Sequence, residues 1–166
     1  MDFDVTSISA IIAAAGVLVG VAIAVLELRN LVKQRQTDLV FRMWQSTCTE
    51  EMVRSWHRLL SAEYDDLADF TKKYGKPFSD NPVPVALTLI GLFHEGLGVS
   101  LHRKVIDVDL IREYFAVGWA WNKIKPIAEG LREELPYPGL FSGVEYLYNE
   151  TNKRRQQLQQ RGAKNG

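Results

Sequence analysis

The sequence predicts an all-α protein in which an N-terminal transmembrane helix continues into a small helical bundle. Three observations predict it. Residues 8–26 are apolar and uncharged, the later segments repeat apolar residues at three- and four-residue spacing, and no run of alternating β-branched residues occurs. The first is a membrane-span signal, the second is the helical period, and the third argues against a sheet.

Residues 8–26 read ISAIIAAAGVLVGVAIAVL, with Ser9 as the one polar side chain. At 1.5 Å per residue the segment is about 28 Å long, close to the roughly 30 Å hydrocarbon core of a bilayer. Each Ile, Leu or Val favours insertion by roughly 0.3–0.6 kcal/mol, and no charge opposes them. A cleaved signal peptide is the competing reading, since Ala22-Ile23-Ala24 has small-x-small form. The acidic start MDFD and the length of the apolar run count against it. Only Asp2 and Asp4 precede the span, whereas Arg29, Lys33, Arg35 and Arg42 follow it. Basic flanks stay in the cytoplasm, so residues 1–7 are expected outside and the rest on the cytoplasmic side of the cell membrane. Gly16 and Gly20 form a GxxxG pair, extended by Ala13 and Ala24 on nearly the same face. Small residues at this spacing let a second helix approach closely. The expected partners are the lipid bilayer and either a second copy or another membrane protein.

Residues 27–46 read as a helical extension of the anchor. No Gly or Pro interrupts Glu27 to Met52, and Leu28, Val32, Leu39, Val40 and Met43 fall on one broad stripe. Arg35 and Gln36 break that stripe, so a strict heptad is not supported. A helical domain is expected over 47–150. Thr47 and Glu50 match a capping box, and the helix behind them carries Val53, Trp56, Leu60 and Tyr64 as its apolar stripe, with His57 and Arg58 beside it in solvent. Asp65 to Tyr74 makes a short helix stopped by Gly75 and Pro77. Pro82 and Pro84 lead into the most apolar segment of the domain, Val85 to His102, where Leu87, Ile90, His94, Leu97 and Leu101 share a face. Asp107 or Asp109 caps a helix running through Ile111, Tyr114, Trp121 and Ile124, which Pro126 is expected to kink or split. Pro136 and Pro138 enforce a loop. A last helix with Val144, Leu147 and Tyr148 is expected to decay into a polar basic tail, 151–166.

The stretches FHEGLGVSLHRKVIDVDLIREYF, WAWNKIKPIAEGLREE and GVEYLYNE, with LELRNLVKQRQ behind the anchor, resemble a prokaryotic family of unknown function. Its members look like single-pass membrane proteins with a helical domain behind the anchor. The resemblance implies that architecture and carries no activity with it.

Composition narrows the function classes. Basic and acidic residues balance at 20 each, which argues against a nucleic-acid binder. A single cysteine, Cys48, rules out an internal disulfide or a multi-cysteine zinc site. His94, Glu95 and His102 are the residues on which chemistry could rest, but the i, i+4 histidine pair of a zincin is missing, so no metal and no cofactor is expected. His94 reads more simply as a core histidine. Glu95, set among apolar neighbours, would need a cationic or donor partner if buried, and Arg54, Arg58 and Arg103 are available. Gly91, Gly96 and Gly98 lack the context of a nucleotide loop and fit close helix packing better. Trp119 and Trp121 read as core and flank.

The first functional reading is a membrane-anchored scaffold or accessory subunit, more in keeping with a non-enzyme. The alternative is a membrane-tethered enzyme using Glu95 with His94 or His102. A third reads the basic tail as a lipid-surface contact. If the small-residue face mediates packing in the membrane, Gly16→Ile and Gly20→Ile lower co-purification of the associated chain while Leu18→Ile does not. Equal recovery with all three variants would reduce the motif to composition.

Overall fold

The computed structural model describes residues 5–164, and all of their regular structure is helical. Asp2 and Asp4 lie outside the described residues. The helices are α1 (Val5–Thr47), α2 (Glu50–Ser61), α3 (Leu67–Tyr74), α4 (Pro82–His102), α5 (Val108–Tyr114), α6 (Val117–Glu134) and α7 (Ser142–Lys164). The chain divides into two compact units, Met1–Asp38 and Leu39–Gly166.

The described part of the first unit is the greater part of α1. Every side chain described from Ile11 to Arg35 is exposed, including Leu18 at 71 %. By length and composition the helix can cross a membrane.

The second unit takes in the end of α1, where Val40 is fully buried and Leu39 and Met43 pack beside it. Its centre is α4, which packs most extensively on α7 and α2. Leu87, Ile90, His94 and Leu97 are buried along α4 as the spacing requires. Although α4 is also long and apolar enough to span a membrane, nearly half of its most apolar window is buried against the other helices, as in a soluble core. On one side of α4 lie Met52, Leu59, Phe70, Ile124 and Ile127, and on the other Val40, Ile106, Ile111 and Leu147.

Several local expectations are corrected. Thr47 ends α1, and Thr49 is the N-cap of α2, its hydroxyl accepting from the Met52 amide at 3.2 Å. Thr47 instead turns its hydroxyl back onto the Trp44 carbonyl at 2.6 Å. That short bond ends one helix and leaves the cap of the next to its neighbour. The buried face of α2 is accordingly Met52, Ser55 and Leu59, one residue from the expected stripe, with Val53 and Leu60 exposed.

Asp107 caps α5 through the Asp109 amide. The helix expected beyond it breaks at Phe115 and Ala116, so that α6 starts afresh at Val117. Pro126 does not split the helix: α6 runs through it. The missing N–H frees the carbonyl of Asn122, and Asn122 is exposed, so water can serve it. The last helix does not decay at 151. It continues to Lys164, its polar residues facing solvent, and Arg154 anchors it to Asp109 of α5 with bonds of 2.8 and 2.5 Å. The Arg154 guanidinium holds the Asp109 carboxyl below its ordinary range. Tyr64 and Lys123 add a brace between the end of α2 and α6: Tyr64 donates to the Lys123 carbonyl at 2.7 Å, and Lys123 donates to the Ala62 carbonyl at 2.6 Å. Burial raises the Tyr64 hydroxyl well above its usual pKa.

Candidate functional site

The polar residues that stand out inside the domain are His94 and Glu95 of α4, and the structure turns them to different neighbours. His94 is 1 % exposed. Its Nδ1 donates to the Ile90 carbonyl at 2.8 Å, one helical turn back, and its ring meets Trp56 of α2 and Phe93 edge-on. With Nδ1 carrying the proton, Nε2 is a lone-pair acceptor, and it has no hydrogen-bond partner. Protonating it would set an unpaired charge among aromatic side chains. Burial therefore pushes the imidazole down from 6.5 to about 4, against a smaller upward pull from the Ile90 bond.

Glu95 is half-buried and faces α7. The expectation of an arginine partner is corrected. Arg54 pairs with Glu50 instead. The Glu95 carboxylate accepts two backbone amides, Gly143 N on Oε1 at 3.0 Å and Val144 N on Oε2 at 2.9 Å. Both amides belong to the first turn of α7, where no preceding carbonyl can serve them and the helix dipole is positive. Phe141, just before α7, holds φ at 58° and has a buried apolar side chain. Its side chain offers no acceptor, and its carbonyl is taken by the Glu145 amide at 3.2 Å. Glu95 therefore caps from a distant helix two amides that no local side chain accepts from.

The glycines around Glu95 make this possible. A Cβ on Gly98 would run into the backbone of Gly143, and one on Gly143 would meet the Glu95 carboxylate. A Cβ on Gly91 would strike the Phe141 ring, 2.6 Å from Cε1. Gly91, Glu95 and Gly98 thus line one face of α4 against the start of α7, as close packing predicts. Gly96 looks into open space and takes no part.

His102, the other residue considered for chemistry, is exposed and packs edge-on to Tyr146, with ring centroids 5.1 Å apart. Among the described residues no hydrogen bond links Glu95 to His94 or His102, and no group of three or more His, Cys, Asp or Glu is placed to hold a metal. Trp121 is buried, whereas Trp119 is an exposed flank. In the first unit Gly16 and Gly20 have nothing around them, and Ala13 and Ala24 are exposed.

Residues 10–151 match the family model of a domain of unknown function, DUF4760. The chain belongs to this family. No curated protein and no solved structure matches it. The DUF4760 match begins inside the apolar part of α1 and ends at Thr151, so it takes in most of that apolar run, Glu95 and the first turns of α7.

Sequence reasoning picked out Glu95 and His94 but missed what Glu95 holds, because the unserved amides of Gly143 and Val144 lie 48 and 49 residues away. No local signal points to it, because Ser142 and Glu145 read as a capping box, whereas the structure places Ser142 inside the helix as its first residue.

His94 yields a pH dependence. The unfolded chain takes up a proton near pH 6.5 that the folded chain refuses until about 4. The unfolded state therefore binds more protons in that window, and stability is complete above pH 6.5 and falls as the pH drops toward 4. Two to three pKa units correspond to about 3 kcal/mol. Urea unfolding at stepped pH should show this loss, and His94→Leu should flatten the profile over the same range. An unchanged slope in His94→Leu would assign the acid sensitivity to other groups.

Proposed function

We propose that this DUF4760 protein is a single-pass membrane protein whose helical domain lies at the cytoplasmic face and acts as a scaffold or accessory subunit. One observation carries the reading. The most apolar window of α1 has a mean hydropathy of 2.6 and none of it is buried, so lipid is the surrounding that satisfies it. The orientation rests on Arg29, Lys33, Arg35 and Arg42, which follow the span while no Lys or Arg precedes it. The small-residue face of Ala13, Gly16, Gly20 and Ala24 is the part of the anchor suited to packing against a second copy or another membrane helix. The scaffold role is supported by what Glu95 does: its carboxylate, the strongest candidate for acid–base work, is spent on capping α7.

Topology tests the proposal. Cys48 is exposed. In intact cells an impermeant thiol reagent should label a cysteine placed at Thr6 and should spare Cys48 until the membrane is permeabilised. After alkaline carbonate extraction the chain should remain in the membrane pellet. Release by carbonate sinks the anchor, and labelling of Cys48 in intact cells inverts the orientation.

A further inference from the structure

The start of α6 has the same deficiency as the start of α7, and no side chain remedies it. Its N-cap, Ala116, offers no side-chain acceptor. The Trp119 amide turns back to the Ala116 carbonyl at 3.1 Å, which leaves the Val117 and Gly118 amides unserved at the positive end of an 18-residue helix. Val117 and Gly118, which carry those amides, line a cleft of about 450 Å³ between the α5–α6 turn and α7. That volume is in the range of small-molecule sites.

The side chains that converge there are donors. Arg112 comes from α5 and Arg155 from α7, and no Asp or Glu lines the cleft. Both Asp109 oxygens are occupied by Arg154, which leaves Arg112 only contacts of 3.8 Å to Asp109 and 3.9 Å to Glu113. Its buried Nε has no hydrogen-bond partner. Among the described residues Arg155 has no ion pair, and the side chains of Asn122 and Asn152 make no hydrogen bond. Trp119 completes the rim at 66 % exposure, a large aromatic surface beside two cations. Two underused guanidinium groups from different helices, an uncapped helix start and an uncovered indole share one concavity. A solvated basic patch would account for the arginines alone. It would not account for the uncapped turn and the bare tryptophan meeting them.

We propose that this cleft binds a phosphate monoester carried on a planar ring, a ligand of mononucleotide size. The phosphate accepts from Arg112, Arg155 and the α6 amides, the bidentate and helix-terminal contacts that phosphate oxygens favour. The ring packs on Trp119, and the Asn122 and Asn152 amides supply donors and acceptors for its polar edge. The inference goes beyond the membrane-scaffold reading and does not need it.

The test is calorimetric titration of the full chain in mild detergent with adenosine 5′-monophosphate, ribose 5-phosphate, adenosine and short-chain phosphatidic acid. Saturable binding of the monophosphate is expected, with weaker binding of the other three. Arg155→Gln should weaken it at least about tenfold, as loss of a charge-assisted contact does. The melting temperature should not move, because Arg155 is exposed and unpaired. Trp119→Ala should bring the monophosphate down to the level of ribose 5-phosphate. Four outcomes overturn the proposal: no saturable heat from the monophosphate up to about 10 mM, adenosine binding as well as it does, undiminished binding in Arg155→Gln, or tighter binding of phosphatidic acid.

Discussion

At the start of α7 the Gly143 and Val144 amides have no local acceptor, and α4 supplies one. Glu95 reaches across to Gly143 and Val144, and it can do so only because Gly98 and Gly143 let the two backbones approach without a Cβ between them. The two requirements reinforce each other. Close approach brings the carboxylate into range, and the charge-assisted hydrogen bonds offset the cost of taking it partly out of water. Phe141 adds the apolar half of the same joint by packing its ring on Gly91. With α4 tied to α7 in this way, α2 closes over one side of α4 through Met52 and Leu59, and α5 is drawn onto α7 by Arg154 and Asp109.

His94 lies one residue from this joint, on the face of α4 that looks into the aromatic cluster of Trp56 and Phe93. Adjacent positions on a helix differ by about 100°, which is how an apolar core and a polar joint coexist on one element. It is also why His94 and Glu95, neighbours in sequence, do not act as a pair. The contrast between α7 and α6 follows from the same logic. Both helices begin after a residue that cannot cap, one served by a carboxylate from within the protein and the other opening onto a cleft of arginines.

Much of the architecture was legible in the sequence. The apolar run over 8–26, the buried face Leu87–Ile90–His94–Leu97 and the short helix stopped by Gly75 all follow from period and punctuation. The errors were local contests between residues of similar type. Thr47 and Thr49 both suit a cap, and the winner depended on which hydroxyl turned back into the preceding helix. Pro126 lost its power to break α6 because flanking Ile124 and Ile127 are held in the core. The α5–α6 break carries no Gly or Pro and had no sequence signal. For Glu95, sequence could say that a partner was needed and could not say that the partner would be backbone. Arginines are visible as letters, whereas unserved amides are a property of a helix end.

The α4–α7 joint stands on the Glu95 cap, and Glu95→Gln tests it with the least disturbance of shape. Glutamine keeps one acceptor oxygen but sets an NH₂ group against the second amide and removes the charge that the helix start favours. Urea unfolding of the full chain in micelles, followed by tryptophan fluorescence, is predicted to show a loss of about 2–4 kcal/mol in Glu95→Gln. A variant within about 0.5 kcal/mol of the parent would mean that α7 starts equally well without the carboxylate, and that the α4–α7 joint rests on glycine packing alone.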